Sequence, residues 1–314
     1  MDLLDQIDLL DPAEPTDPQD PADPTGPRDP IDFMAPIAQM RDALVAARNA
    51  DGGWPYYAGK ASRLEPTVFA LLALREEATA ILGRWPRLQG LFVEPGGALN
   101  YGFNGQAAIA LARSPESAVA RSLVPGLVRA RGLAMPPSVI NRQDNSIQGW
   151  SWTDGTFSWV ESTAWCLLGL KRLAGRSTDS DVRARFEDGR RFFADRVCKE
   201  GGWNDGNSNM LGADLPPYIP TTALALLAMH DHAADPVVQR GLTYLGERKL
   251  TEQGGLALSL TRICLGVYGE AGADVEAAIL STWTRTSFLA SVHVTALALY
   301  ALTASGHGFE EFRV

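Results

Sequence analysis

From residue 36 onward one block of sequence recurs six times, and this internal repeat limits the fold of the 314-residue chain more tightly than any other feature. A Gly-rich aromatic turn leads into a small, apolar, helix-forming run. The turns are Asp51-Gly52-Gly53-Trp54, Gly96-Gly97 ahead of Tyr101, Gly149-Trp150-Ser151-Trp152, Gly201-Gly202-Trp203 and Gly254-Gly255. The runs are TVFALLAL from Thr67, AAIALA from Ala107, TAWCLLGL from Thr163, TALALLAM from Thr222, TRICLGV from Thr261 and TALALYAL from Thr295, at intervals of 40, 56, 59, 39 and 34 residues.

Each interval is too long for one helix and suits a helical hairpin. Amphipathic stretches fill the spaces at 37–48, about 116–131, 181–198, 236–249 and 273–283. In DVRARFEDGRRFFADRV, Val182, Phe186, Arg190 and Phe193 fall on one stripe with charges opposite. TALALLAM is apolar all round, as in a helix buried on every side. One buried and one amphipathic helix per copy imply two concentric rings. Six copies without polar end caps favour closure over an open solenoid. The expectation is an all-α fold, an α6/α6 toroid of six helical hairpins over residues 33–314, with the inner-helix N-termini around its mouth. Paired glycines permit positive φ and close backbone approach, and packing is the default role for Trp54 and Trp203.

Composition narrows the partners. Lys plus Arg total 28 against 37 for Asp plus Glu, a net charge of -9 with pI near 5.0, so nucleic acid and anionic membrane surfaces are repelled. No stretch approaches the ~20 apolar residues of a membrane helix. The start Met-Asp-Leu-Leu-Asp lacks a basic n-region, which predicts no secretory signal. Three cysteines without CxxC give no disulfide framework or thiolate metal knuckle. They fit a reducing, cytoplasmic setting. Residues 11–30, DPAEPTDPQDPADPTGPRDP, cannot bury enough surface to offset ordering, so residues 1–32 are expected to form a disordered Asp/Pro-rich tail. Ahead of it, Leu3, Leu4, Ile7 and Leu10 make residues 1–10 either a frayed end or an acidic peptide for a protein partner.

With its turns and runs assembled, the chain resembles the prenyltransferase and squalene-cyclase repeat superfamily over roughly residues 36–304. Degenerate QW-type motifs carry the resemblance: RRFFADRVCKEGGW (190–203) foremost, then AARNADGGW (46–54), NRQDNSIQGW (141–150) and RGLTYLGERKLTEQGG (240–255). FSWVESTAWCLLGL (157–170) is similar to cyclase strings in which a Trp-Val pair precedes a Thr-Ala-Trp helix. The resemblance implies an α6/α6 toroid that handles an isoprenoid or another small apolar ligand, with no cofactor. Class II terpene cyclases protonate an isoprene double bond with the central Asp of a DxDD motif. Here Trp159-Val160-Glu161-Ser162-Thr163-Ala164 stands in that place, so Glu161 takes the donor position without its flanking acids. The DDxxD of class I synthases and the Asp-x-Cys zinc pair of protein prenyltransferases are absent from the sequence. Asp179-Ser180-Asp181 reads as a helix cap, and Asn204-Asp205-Gly206-Asn207-Ser208 as a loop.

Aligning the runs on Thr67, Ala107, Thr163, Thr222, Thr261 and Thr295 puts Glu65, Gly105, Glu161, Pro220, Ser259 and His293 two residues upstream, as a ring at the mouth. Capping explains either Glu alone. Two Glu and a His at one repeat position point to a catalytic set of Glu161, Glu65 and His293. Burial would raise a carboxyl pKa there while a helix N-terminus would lower it, and the sequence leaves the balance open. Tyr56, Tyr57, Tyr101, Phe103, Trp152, Phe157, Trp159, Trp165 and Tyr218 fall in or beside loops feeding the mouth, as a substrate wall. Such faces suit a carbocation, an inert apolar ligand or a sugar ring. His230 and His232 do not share a helix face, and the Asp205 loop carries Pro216 where a calcium loop needs Glu, so no metal site is expected. Three readings stand: an isoprenoid cyclase-type enzyme, a non-catalytic prenyl- or protein-binding toroid, and a carbohydrate-active toroid. The last needs carboxyls about 5–9.5 Å apart, closer than copies one and three of a six-fold ring should sit.

Overall fold

Alternation in the sequence becomes alternation of helices. The computed structural model describes residues 34–136 and 142–314, and the expectations for residues 1–32 lie outside the described residues. Twelve α-helices occur among the described residues: α1 (Met34–Ala46), α2 (Leu64–Leu74), α3 (Ala78–Leu82), α4 (Tyr101–Leu111), α5 (Ala118–Arg129), α6 (Val160–Ala174), α7 (Ser180–Arg196), α8 (Ile219–Ala228), α9 (Pro236–Arg248), α10 (Gly255–Tyr268), α11 (Ala273–Thr286) and α12 (Val292–Thr303). The apolar runs are the even-numbered helices, buried over almost their whole surface. Each packs on the next, and α12 returns to α2, so the inner helices form a closed cycle. The amphipathic helices pack against this cycle, α5 on α4 and α6, α7 on α6, α9 on α8, and α11 on α10.

Two expectations change. The space between the first two runs holds only the five-residue α3 and a short hairpin pairing Arg87–Leu88 with Leu91–Phe92, so the outer layer is uneven there. On α7 the buried stripe is Val182, Arg185, Gly189, Phe192, Phe193 and Arg196, in place of one through Phe186 and Arg190. Arg185 lies flat on Trp150, 3.7 Å from the ring centroid, and donates to the carbonyls of Ala130, Gln148 and Gly149. Burial pushes its guanidinium down to about 10, because desolvation disfavours the charged form.

The Trp-bearing turns build one junction three times. The backbone N–H groups of Trp54, Trp150 and Trp203 donate to Thr67, Thr163 and Thr222 Oγ1, each at 2.9 Å. Their indole N–H groups donate to the Leu44, Leu127 and Phe193 carbonyls near the ends of α1, α5 and α7, at 2.7, 2.8 and 2.8 Å. Each fully buried Trp thus ties the first turn of an inner helix to the last turn of an outer one. The glycine before it is demanded by closeness: a Cβ on Gly202 would meet Thr222 Oγ1 at 2.7 Å, and one on Gly149 would strike Thr163 Oγ1.

A second set of bonds runs around the mouth. The first amide of α2 donates to Glu94 Oε1, of α4 to the Trp152 carbonyl, of α6 to the Asp205 carbonyl, and of α8 to Glu252 Oε1. Every acceptor lies in the loop feeding the next inner helix. The first amide of α12 donates to the Tyr56 carbonyl at 2.9 Å, which joins the last copy to the first. At the other end, a 3-10 turn at Glu310–Phe312 packs against α4, α6 and α10 and buries Phe312 completely. Glu311 holds it there by pairing with Arg113 and accepting from Tyr300 Oη at 2.6 Å.

Thr222→Val keeps the volume of that side chain but orphans the buried Trp203 N–H. The expected loss is about 1–3 kcal/mol, read as a lower urea midpoint at unchanged m-value. Thr222→Ser, which keeps the oxygen, should recover most of it; equal losses for both would assign the junction to methyl packing.

Candidate functional site

Each inner helix begins after an extended residue, and at five of them the first amide is fixed by the neighbouring loop, so positions counted from the helix start are comparable. The second positions are Glu65, Gly102, Glu161, Pro220, Leu256 and His293. Two assignments from the aligned runs are corrected here: Gly105 and Ser259 lie one helical turn too deep. The Thr of the other copies is replaced by Asn104 in α4, whose side chain brackets Phe92 by accepting from its N–H at 2.7 Å and donating to its carbonyl at 3.0 Å. In α10 it is replaced by Leu258. Gly105 packs on the Trp165 backbone, and Ser259 is buried, donating to the Gly255 carbonyl.

Glu65, Glu161, Leu256 and His293 front one cavity of about 360 Å³. Asn100, Phe103 and Trp152 form a wall, and Phe69, Trp165 and Leu260 lie deeper. The deep residues sit four positions after rim residues, so each pair shares a helix face. Trp152 reaches the wall because α4 has glycine at its second position; a Cβ on Gly102 would overlap the indole.

Glu65 is held on both oxygens, with Tyr56 Oη donating to Oε2 at 2.7 Å and Gln106 Nε2 to Oε1 at 3.0 Å. Burial and the facing carboxylate push the Tyr56 phenol well up, so it stays a donor. His293 Nδ1 lies 2.9 Å from Ser291 Oγ, and its ring meets Tyr56 edge-on at 5.1 Å between centroids. Burial holds its pKa below the ordinary imidazole value despite the pull of Glu65. Glu161 is half-buried and makes no such bonds; burial first, then the charges of Glu65 and Asp205, push its carboxyl up to about 7. The Trp165 indole N–H, which meets no acceptor at full hydrogen-bond geometry, opposes the shift. Desolvation therefore outweighs the one opposing group, the Trp165 indole, at Glu161.

The other named aromatics lie elsewhere. Phe157 and Trp159 line a separate depression with Asp205 and Met210. Tyr57 and Tyr218 are exposed. Tyr101 is in the core, its hydroxyl raised by burial and by Asp154. Tyr56 acts on the site through Glu65, while Phe103, Trp152 and Trp165 line it. Sequence reasoning missed Phe69, Asn100, Gln106, Leu256 and Leu260; stepping four residues from each correctly aligned rim position would have found all but Asn100, the N-cap of α4. Glu94, another buried acid, is committed to Arg63 and the Leu64 N–H. His230 lies outside the cavity, its pKa lowered by burial. Asn204 organises the Asp205 loop by accepting from the Gly206 and Asn207 amides. Among the described residues no three His, Cys, Asp or Glu side chains gather as metal ligands, and no helix is long and apolar enough to cross a membrane. Cys166, Cys198 and Cys264 are buried thiols whose pKa burial raises, Cys198 to about 11.

No protein-family profile matches the chain, and no curated protein matches it. Solved structures do. A glycoside hydrolase family 76 mannosidase, Bt3792 from Bacteroides thetaiotaomicron VPI-5482, superposes with TM-score 0.55 at 11% identity over 88% of this chain and 98% of that one. The type II terpene cyclase MstE from Scytonema, in a complex with geranylgeranyl dihydroxybenzoate as substrate, superposes with TM-score 0.51 at 16% identity over 88% and 99%. The fold is thus that of the α/α-toroid enzymes.

The raised Glu161 pKa has a cost in stability. The folded state binds the proton more tightly than the unfolded chain between pH 4.5 and 7, so stability falls as pH rises through that window. Glu161→Gln removes the cost. It should raise the melting temperature at pH 8 and leave it nearly unchanged at pH 4, the difference being on the order of 1–3 kcal/mol. Equal effects at both pH values would show that the carboxyl is not desolvated.

Proposed function

We propose that this chain is a toroid enzyme that acts on an isoprenoid by proton transfer. Glu161 is the acid, Glu65 its fixed carboxylate partner and His293 the neutral proton acceptor. The observation that carries this reading is two carboxyls fronting one aromatic-walled cavity, one held on both oxygens by donors and the other left without them, where burial pushes its pKa up to about 7. A carboxyl pushed up by burial, beside one held by two hydrogen-bond donors, assigns the first as the proton donor. The faces of Phe69, Phe103, Trp152 and Trp165 are each worth about 0.5–2 kcal/mol to a cation. The repeat resemblance supports the substrate class, as does the terpene cyclase among the similar folds.

The acidity selects the step. An oxygen lone pair is far more basic than a carbon–carbon double bond, so an acid with pKa about 7 suits an isoprenoid epoxide or allylic alcohol better than a bare alkene. Glu161 gives its proton to that oxygen, the C–O bond breaks with its electron pair going to oxygen, and the cation forms over the rings. A neighbouring carbon then loses a proton to His293 and an alkene remains.

A carbohydrate-active reading has its own support. Two carboxyls front one cavity, and a raised acid is what a glycosidic oxygen requires. Incubation with farnesyl and geranylgeranyl diphosphate, squalene, an epoxidised squalene and α-mannan, with product analysis, separates the two. In the isoprenoid case Glu161→Gln removes turnover, while thermal protection by the same substrate stays within about twofold, since the amide keeps the shape but has no acidic proton. Wild-type turnover should fall about tenfold per pH unit above 7. A rate flat from pH 6 to 9 would sink the role of Glu161. Protection by a prenyl chain without any product would make the toroid a binding module.

A further inference from the structure

The C-terminal turn reaches up inside the ring as far as the cavity floor. Trp165 lines the cavity and meets Phe312 edge-on, 6.3 Å between centroids. Phe69, the other deep aromatic, packs on Trp165 at 5.8 Å. Phe312 is fully buried and also contacts Tyr300 at 5.3 Å. It is fixed in height by its neighbour Glu311, buried between Arg113, just past the end of α4, and Tyr300 of α12. Arg172 of α6 and Gly266 of α10 bind the same tail, through the Arg313 carbonyl and guanidinium. Three inner helices thus clamp a segment that buries Phe309 against Tyr300 and Gly266 and places Phe312 directly against Trp165 of the floor.

From this geometry we infer that Phe312 is a specificity-determining residue: it is the stopper on which Trp165 rests, and it sets how deep the cavity runs and so how long a ligand it accepts. The Phe69, Trp165 and Leu260 layer lies four residues below the rim, about 6 Å at 1.5 Å per residue, so a cavity of about 360 Å³ is a shallow bowl near the lower bound of small-molecule pockets. Truncating Phe312 leaves a void that its clamped surroundings fill only in part. With the support gone, Trp165 turns down into the void and the bowl deepens.

The ligand-length part rests on the isoprenoid reading; the depth part does not. Phe312→Ala and the milder Phe312→Leu are made in the full chain, and melting is recorded with geranyl, farnesyl and geranylgeranyl diphosphate and, separately, with benzene as a cavity-seeking apolar probe. The expected result has two parts. Benzene raises the melting temperature of Phe312→Ala but not of the parent, and the best-protecting prenyl ligand becomes one isoprene unit longer, with Phe312→Leu between. An unchanged rank order of prenyl ligands that protect the parent overturns the proposal, because loss of packing alone would lower all melting temperatures without reordering them. Failure of every prenyl ligand on the parent sinks the isoprenoid reading instead, and benzene then decides depth: no preference for the alanine variant overturns it. If that variant does not fold, the same comparisons are read on Phe312→Leu.

Discussion

At five of the six inner helices, the first backbone amide is satisfied by the loop that feeds the next one, through a carbonyl for α4, α6 and α12 and through a Glu side chain for α2 and α8. Such an amide has no partner inside its own helix, and leaving it buried and unpaired costs about 1–3 kcal/mol. A copy joined in this way cannot slide along its neighbour without breaking the bond. The helix starts are therefore held in register around the mouth, and the second positions of α2, α6, α10 and α12 arrive at the cavity. Closure depends on Tyr56, whose carbonyl takes the first amide of α12 while its hydroxyl holds Glu65. One residue joins the ends of the repeat and orients half of the acid pair.

That register also explains why two chemically identical side chains at equivalent positions behave differently. Glu65 is flanked by Tyr56 and Gln106, which bind both its oxygens. Glu161 has only the poorly aligned indole of Trp165 and faces the charges of Glu65 and Asp205. Helix N-termini favour ionised acids by about 0.3–1 kcal/mol. The pull is common to both, so the contrast in bonding comes from the neighbours, Tyr56 and Gln106 at one Glu and the Trp165 indole at the other. Asymmetry between copies, laid over a symmetric ring, gives two carboxyls at one repeat position unlike surroundings.

Much of this was legible in the chain. The apolar runs fixed the inner helices, and the Gly-Trp turns fixed the junctions, because a Trp and a Thr thirteen residues on (nineteen in the fourth copy) answer each other in space. What the alignment lost was one turn of register in α4 and α10, where Asn104 and Leu258 replace Thr. A pattern of residue types cannot recognise an amide side chain bracketing Phe92 as the equivalent of a hydroxyl bracketing Trp. The short α3 was hidden for a related reason, since a hairpin fills space that a helix occupies in other copies. Phe157 and Trp159 adjoin Glu161 in sequence yet line another depression, because extended residues before a helix alternate sides and are placed by their loop.

The buried acids of this ring are satisfied to different degrees. Around the rim and at the base, Glu94 and Glu311 each meet a guanidinium and a second donor. At the cavity, Trp165 Nε1 and Gln106 Oε1 are buried without a full partner, and Glu161 carries a charge that its surroundings resist. Folding alone gains nothing from that arrangement. A donor, an acceptor and a reluctant acid around one opening form a set that a ligand can complete, whereas the open atoms of Arg185 and Arg196 belong to guanidiniums already bonded through their other nitrogens. What sets this opening apart from the other depressions is Glu161, whose carboxyl, alone among the described carboxylic acids with a shifted pKa, is pushed upward by burial among aromatic walls.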